Sequence, residues 1–587
     1  MSLRSSEDLI GHAFIDSLIF KIMENDEVAR IFYEIADILE LQDVQFKPTA
    51  YRRAGQAIEA LDRPLSSVED FTSIQGVGKA IAKKIEEILT TGSLEYLETL
   101  KEEIPPGIQE LLHLPDVGPK TAHNLARQGI HSIEELTQAL QTHSLGKMKG
   151  FGHKTEENLA RSIQLYVSQR KRRPLGSVLP LTTVIEETLS PHCNTVVIVG
   201  SVRRWKETVG DIDILAITPD SEQVMEAFTR CEPVKTVLSR GTTRSSVIMA
   251  EDIQADLRVV TQDSFGSALQ YFTGSKDHNV ALRRLAVQKG FKLNEYGLFD
   301  RKTNDRVAGE SEEEIYACMG LDYIPPELRE YGGEIEAART HTLPPLLELG
   351  DMRGDLHVHT SWSDGSDSIP SLIEAALALD YEYMGISDHS RSSTLAHGLT
   401  QERLSQQNAL IERLNDDLDD ITVLSGVECD IMSDGSLDFP DSVLEQLDFV
   451  TASVHSRFTS SREKMTDIVC NAMRNEFVTI LGHPTGRIMG TIEPLNLDMG
   501  KIFDTARETD TLMEINAHPL RLDLKDTHIR TAIKEGVSLV IGTDAHAVSE
   551  LDRLELGVRT ARRGWAGPAH IINTYGIKEL KKNFKTP

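Results

Sequence analysis

Along this chain the spacing of apolar residues changes period twice, and each change marks a different kind of structure. Between about Asn25 and Gly92 apolar residues recur at three- and four-residue intervals, as from Ile31-Phe32 through Ile38-Leu39, which predicts helices. Near residue 195 the pattern shortens. Val196 to Ile198 form an apolar run that leads into Val199-Gly200-Ser201, a buried strand ending in a turn. Alternation in Asp211-Ile212-Asp213-Ile214-Leu215 and the β-branched run Gln254-Ala255-Asp256-Leu257-Arg258-Val259-Val260 predict two further strands. Beyond residue 355 short apolar runs alternate with amphipathic helical stretches, the signature of a parallel, barrel-like β/α domain. At 587 residues the chain is long enough for several domains with separate cores.

The helical region carries three near-repeats. Ile74-Gln75-Gly76-Val77-Gly78-Lys79 has the form of a helix-hairpin-helix, in which glycines permit a tight turn and the N–H groups opening the next helix face a DNA phosphate. Leu114-Pro115-Asp116-Val117-Gly118-Pro119-Lys120 is a second copy. Met148-Lys149-Gly150-Phe151-Gly152-His153-Lys154 is a weaker third. Phosphate-facing turns position DNA and read no bases.

Gly200 lets the backbone at the end of the first strand approach an anion closely, which makes Val199-Gly200-Ser201 a phosphate seat. Asp211 and Asp213 lie two residues apart, so the pleat puts both carboxylates on one face, with Ile212 and Ile214 on the other. Paired carboxylates suit Mg²⁺ or Mn²⁺, and a nucleoside triphosphate supplies the remaining ligands for an in-line phosphoryl transfer. Such a site needs a third carboxylate near the attacking hydroxyl, and Asp256 fits.

A second set of ligand residues follows residue 355. Asp355-Leu356-His357-Val358-His359 places two imidazoles on one face of a strand, and Asp364 follows in a Ser-Asp-Gly turn. His389, Glu428, His455, His483, Asp544 and His546 come later, most of them at the end of a short apolar run. Mixed nitrogen and carboxylate ligands suit Zn²⁺, Mn²⁺ or Fe²⁺, and several ions held together point to a phosphoesterase.

Charge complicates the picture. A formal net charge of −29 opposes nucleic-acid binding unless acidic residues cluster away from the DNA track. Local sequence allows this: Lys79 to Lys84 and Arg170-Lys171-Arg172-Arg173 are basic, whereas Glu310 to Glu314 and Asp416 to Asp420 are acid-rich. The five cysteines are scattered with no CxxC pair, and no apolar run is long enough to span a bilayer. A reducing, cytoplasmic, nucleoid-associated setting without membrane contact is the expectation.

The carboxylate and glycine motifs resemble the nucleotidyltransferase palm of family X DNA polymerases. That resemblance implies that Asp211, Asp213 and Asp256 bind the metal ions and that Gly200, Ser201, Arg204 and Gly210 hold the triphosphate. Tyr271-Phe272-Thr273-Gly274-Ser275 is similar to the family motif beside the incoming sugar, where close backbone approach disfavours a ribose 2′-hydroxyl. Asn279 and Arg283 match positions that touch the incoming base and the template. Lys276 departs from the acid carried there by vertebrate repair enzymes of the family. The first hairpin resembles the family's N-terminal lyase domain, with Lys84 at the Schiff-base position and Lys47 and Tyr51 in support. Neighbouring Lys83 and Lys79 would lower the amine's pKa toward nucleophilic use; the competing reading is that Lys84 only grips a phosphate.

The C-terminal ligands resemble the PHP (polymerase and histidinol phosphatase) domain, a distorted (β/α)7 barrel, with all nine of its metal-ligand positions filled. Glu514-Ile515-Asn516 and Arg521-Leu522-Asp523-Leu524 resemble the form attached to polymerases. Together these imply a lyase-like domain over 1–92, a fingers-like helical domain with further hairpins over 93–175, a palm over 176–262, a thumb over 263–332, a linker over 333–350 and a PHP domain over 351–587. The implied protein is a monomeric gap-filling DNA repair polymerase acting on gapped or nicked duplex and dNTPs, with 3′-5′ exonuclease and AP-endonuclease chemistry in the barrel. Two alternatives stay open: an end-processing nuclease whose polymerase core only positions DNA, and a non-enzymatic scaffold bridging DNA ends.

Overall fold

In the computed structural model the chain forms two compact units, one ending at residue 170 and one beginning at 171. The described residues are 172–456 and 460–584 in the second unit. In the first they are 25–41, 44, 46–59, 65, 68, 70–74, 76–91, 94–102, 111, 114, 117, 119–142, 145, 156, 159–160 and 163. Gly118, Gly150 and Gly152, and with them the whole third hairpin, lie outside these, as do Arg170 and Lys171.

The first unit is helical, with α1 (Asn25–Leu41), α2 (Lys47–Glu59), α3 (Lys79–Thr91), α4 (Glu95–Glu102), α5 (Pro119–Arg127) and α6 (Ile133–Gln141). Val28, Phe32, Ile35 and Leu39 fall on one stripe of α1, and all are buried against Ala54 and Ile58 of α2 and Ile85 and Ile88 of α3. Leu114, Val117, Ala122, Leu125 and Leu136 belong to a second core around α5 and α6.

The second unit begins with α7 (Leu175–Leu189) and a five-stranded sheet. Its strands are β1 (Thr195–Ile198), β2 (Asp211–Ile217), β3 (Val234–Arg240), β4 (Arg244–Met249) and β5 (Gln254–Val259), in spatial order β1-β2-β5-β4-β3. The β2/β5 pair is parallel; the other pairs are antiparallel. Short helix α8 (Gly200–Arg203) turns the chain from β1 toward β2, and α9 (Ser221–Thr229) covers the sheet.

Next come α10 (Phe265–Thr273), α11 (Lys276–Gln288) and a small antiparallel sheet of β6 (Phe291–Asn294), β7 (Gly297–Asp300) and β8 (Arg306–Ala308), followed by α12 (Glu312–Cys318). Leu282, Leu298, Ile315, Tyr316 and Ile324 share this core.

The stretch 333–350, expected as a linker, is packed. It forms α13 (Glu334–Arg339), Ala338 and Leu347 are fully buried, and the buried Glu334 accepts hydrogen bonds from His278 and from the backbone N–H groups of Tyr331 and Gly332. Its glycines and charges look like a solvated spacer in sequence. Because each buried charge has a partner, the segment is tied into the fold instead.

A seven-stranded parallel sheet completes the unit: β9 (Gly354–Val358), β10 (Tyr383–Ile386), β11 (Thr422–Asp430), β12 (Phe449–Ser453), β13 (Ile480–Leu481), β14 (Leu512–Asn516) and β15 (Leu539–Gly542), in sequence order. A bridge between Val358 and Ala545 brings its two edges together, so the barrel is nearly closed. Helices α14 (Ile369–Ala378), α15 (Gln401–Asn415), α16 (Arg462–Met473), α17 (Met499–Thr509), α18 (Asp526–Lys534) and α19 (Leu554–Arg563) accompany the strands. One hydrophobic cluster runs from Val178 of α7 and Ile212 and Leu257 of the first sheet into Val358, Val427 and Ile541 of the barrel. Among the described residues no helix is long and apolar enough to cross a membrane.

Candidate active sites

The parallel pairing of β2 with β5 places Asp213 directly opposite Asp256, and the pleat puts Asp211 on the same face. Ligand oxygens of the three carboxylates lie within 4.8 Å of one another, while Ile212 and Ile214 point into the core. Burial, followed by repulsion from Asp211 and Asp256, pushes the Asp213 carboxyl up to about 7. Asp256 is held from behind by the Ser246 hydroxyl, by Gln254 Nε2 at 2.7 Å and by Arg244 Nη2 at 3.3 Å. Three carboxylates that repel one another without a cation are suited to holding divalent ions.

Gly200 has φ +65°, and a Cβ there would lie 2.6 Å from Asp213 Oδ2. Only glycine admits both the turn and the carboxylate. The Ser201 hydroxyl is buried beside it and makes no hydrogen bond, a donor left for a ligand. A cavity of about 380 Å³ opens here. Gly200, Ser201, Arg204, Asp211, Asp213, Tyr271, Phe272, Gly274, Asn279 and Arg283 all line it, as does Lys276. Asn279 is locked by donating to Tyr271 O at 2.7 Å and accepting from Gln270 Nε2 at 2.7 Å.

Gly210 does not line the cavity; its nearest neighbour beyond the adjoining chain is Arg172 Nη1, 3.5 Å from where a Cβ would stand. Arg172 does line it, fixed by donating from Nε to Thr208 Oγ1 at 2.9 Å. Sequence offered Arg172 only as one of four basic residues at a domain junction.

The barrel gathers its candidate ligands toward the carboxyl ends of the strands. His359, Asp364, His389 and His546 form one group, His357, His359 and Asp544 a second, and His389, Glu428 and His455 a third, each with ligand atoms within 4.8 Å. His483 joins them through Nε2, 2.8 Å from Glu428 Oε1. All nine expected ligands therefore converge. Buried His357 Nε2, both ring nitrogens of His359 and His483 Nδ1 make no hydrogen bond, which fits a site built for metal ions.

The supporting carboxylates were not legible as such. His357 Nδ1 donates to Glu514 Oε1 at 2.6 Å, and His455 Nδ1 donates to Asp430. These bonds turn the other ring nitrogen of each histidine toward the cluster. Burial opposes charge on His357, yet Glu514, Glu428 and Asp544 together raise its pKa well above the ordinary imidazole range. Asp388, next to His389 in the chain, is buried behind the cluster. It accepts from Thr360 N at 2.8 Å and Gln407 Nε2 at 2.6 Å and so braces the loop after β9.

In the first hairpin Gly76 has φ +89°, and α3 starts at Lys79, with Gly78 O accepting from Ala82 N at 2.9 Å. Lys79 is exposed at the mouth of this turn. Lys84 lies one turn further, its ammonium 3.8 Å above the Tyr96 ring. Its pKa is lowered chiefly by burial, with Glu87 opposing and Lys47 adding to the shift; Lys79 and Lys83 are not the cause expected of them. Tyr51 stacks on Tyr96 with ring centres 6.3 Å apart. Lys120 stands in the first turn of α5, after the second hairpin.

Family models agree with this architecture. A helix-hairpin-helix domain matches residues 23–94, a SAM-like helix-hairpin-helix tandem 108–164, a DNA polymerase beta thumb 268–330 and a PHP domain 355–518. The chain is 38% identical over 569 residues, 96% of its length, to the whole of DNA polymerase/3′-5′ exonuclease PolX of Bacillus subtilis.

This chain is a family X DNA polymerase with a PHP domain. About half of it is also 25% identical to rat DNA polymerase lambda, covering 55% of that protein, and to chicken DNA nucleotidylexotransferase, covering 67%. Those two proteins match 51% of this chain each, whereas the Bacillus relative matches it almost end to end.

Proposed function

We propose that this family X polymerase fills short gaps in duplex DNA with its palm and trims 3′ ends with its barrel, in the cytoplasm and as a monomer. Two complete and separate ligand sets in one chain carry this reading. Mg²⁺ or Mn²⁺ held by Asp211, Asp213 and Asp256 would supply Lewis-acid stabilisation of the reacting phosphate. Gly200 backbone, the Ser201 hydroxyl and Arg204 would hold the triphosphate. Tyr271 to Gly274 crowd the sugar, Asn279 meets the base edge, and Arg283 reaches the template. Asp256, fixed by three donors, orients the primer 3′-hydroxyl and accepts its proton while pyrophosphate leaves.

In the barrel the nine ligands would hold Mn²⁺, Zn²⁺ or Fe²⁺, whose chemistry is phosphodiester hydrolysis. Glu514 and Asp430 hold His357 and His455 in register for it. The same cluster would cleave at abasic sites if the strand is presented internally. Gly76, Gly78, Lys79, Gly118, Lys120, Gly150 and Gly152 would seat the phosphates of gapped or nicked DNA.

Lys84 supports a 5′-deoxyribose phosphate lyase step: burial, with Lys47 adding to it, favours its neutral amine, the nucleophilic form, and the Tyr96 ring beneath it is stacked on Tyr51. Borohydride trapping on an abasic duplex, absent in Lys84→Ala, tests it. If trapping persists, Lys84 only grips phosphate.

The main test uses a one-nucleotide gapped duplex with labelled primer, Mn²⁺ and dNTPs. Asp213→Ala is expected to lose extension alone and His357→Ala shortening alone. Extension surviving in Asp213→Ala would mean that the palm assignment is wrong, and shortening surviving in His357→Ala that trimming belongs elsewhere; a wild type that shortens but never extends would leave a nuclease with a positioning core, and one that does neither a scaffold.

A further inference from the structure

The barrel grips the palm at one turn, Arg204 to Glu207, directly after α8 and the phosphate seat. Arg563 Nη1, at the end of α19, donates to Arg204 O at 2.7 Å. The Arg559 guanidinium lies 5.0 Å from the Trp205 ring centre, and Arg487 Nη2 donates to Glu207 Oε2 at 2.8 Å. Three barrel arginines thus fix three of four consecutive palm residues.

The side chain of Arg204 is held by the same assembly. Its Nε donates to Glu330 Oε1 at 3.0 Å and its Nη1 to Thr273 O, which leaves Nη2 without a partner among the described residues, in a side chain that lines the nucleotide cavity. Glu330 is shared: the same Oε1 accepts from Arg563 Nη1 at 3.2 Å. Arg563 is itself locked, only 4% exposed, with Nη2 donating to Asp526 Oδ2 at 2.6 Å. Without Arg563, Glu330 would answer to Arg204 and, more distantly, Lys206 at 3.9 Å, and would draw the Arg204 guanidinium toward itself. The backbone carbonyl beneath Arg204 would lose its donor in the same change.

We propose that Arg563, a residue of the PHP barrel, is a positioning residue for nucleotide incorporation in the palm, acting through Glu330 and the Arg204 backbone. The inference rests on the reading of Arg204 as a triphosphate ligand. It means that the polymerase site is completed by the nuclease domain, without any sharing of substrate between the two centres.

The planar fork of arginine lets one side chain bind Asp526, Glu330 and the Arg204 carbonyl together, which an ammonium cannot do. Arg562, its neighbour on α19, makes a matched control. It donates to Glu327 at 2.8 Å and Glu348 at 2.6 Å, and touches neither Arg204 nor Glu330.

The experiment measures dNTP KM and kcat on a gapped duplex with Mg²⁺, and 3′ trimming of a single strand, in the same full-length preparations. Arg563→Ala is expected to raise KM about tenfold with a smaller change in kcat, the scale of losing a charged hydrogen bond, and to leave trimming unchanged. Arg563→Lys recovers part of the loss, and Arg562→Ala leaves KM as in the wild type.

If Arg204→Ala raises KM while Arg563→Ala does not, the inference fails and the nucleotide seat stands. If Arg204→Ala leaves KM unaltered, the seat itself is misassigned. An equal rise in Arg562→Ala would mean general domain docking and overturn the proposal. Should Arg563→Ala lose both activities through misfolding, Glu330→Ala decides: a raised KM with intact trimming supports the link, and an unchanged KM refutes it.

Discussion

Replacing Asp213 by Asn is expected to abolish gap filling while making the metal-free protein more stable. Asp213 lies beside Asp211 and opposite Asp256, and its carboxyl is raised from 3.8 to about 7. The fold therefore keeps a proton that the unfolded chain gives up. Its contribution to stability is complete below pH 3.8 and is lost as pH rises through about 7. A shift of this size corresponds to roughly 4 kcal/mol above pH 7, at about 1.4 kcal/mol per unit. Asp213 is partly exposed, and screening reduces this to about 2 kcal/mol. Asn keeps the volume and removes the charge. In EDTA at pH 8 the Asp213→Asn protein should melt a few degrees above wild type, and the difference should vanish near pH 4. Magnesium should raise the wild-type melting temperature more than that of the variant, because binding to the folded state is what offsets the repulsion. Ions in the barrel stabilise both proteins alike and cancel in the comparison. Scanning calorimetry with parallel extension assays reads all of this. The reasoning fails if the variant melts below wild type in EDTA at pH 8, or if magnesium stabilises both equally.

Three further outcomes follow from the same structure. Gly200→Ala should cut extension at least a hundredfold and spare trimming in a primer assay, because its Cβ would stand 2.6 Å from the Asp213 carboxylate at φ +65°. Glu514→Gln should weaken barrel metal affinity about 10- to 100-fold, seen as a higher Mn²⁺ requirement for trimming but not for extension. Glu312→Gln should destabilise the second unit by about 3–5 kcal/mol in chemical denaturation, because it leaves the fully buried Arg329 unpaired. Burial would raise the Glu312 pKa, but Arg329 and Arg203 bring it to about 2, so its contribution is present above 4.5 and is lost as pH falls through about 2. Acid titration of wild type should show that loss over this window, and the variant should not.

Much of the chemistry was legible in the chain itself. A period of two puts Asp211 and Asp213 on one face, a strand followed by Gly200-Ser201 marks the turn that lines the cavity, and histidines ending apolar runs mark side chains that converge at one rim of a parallel barrel. These signals need only a few consecutive residues and the geometry of a strand or turn.

Tertiary structure decided what no local pattern contains. Asp256 becomes the third carboxylate because β5 pairs in parallel with β2 at one register. Glu514 supports His357 from 157 residues away, and Arg563 holds Arg204 from 359 residues away. Glu334 looked like part of a solvated linker, yet it is buried because His278 and two backbone N–H groups answer its charge. Long polar side chains have many rotamers and no periodicity of their own. Their partners are chosen by how whole sheets and helices pack, and the sequence carries that only through the fold.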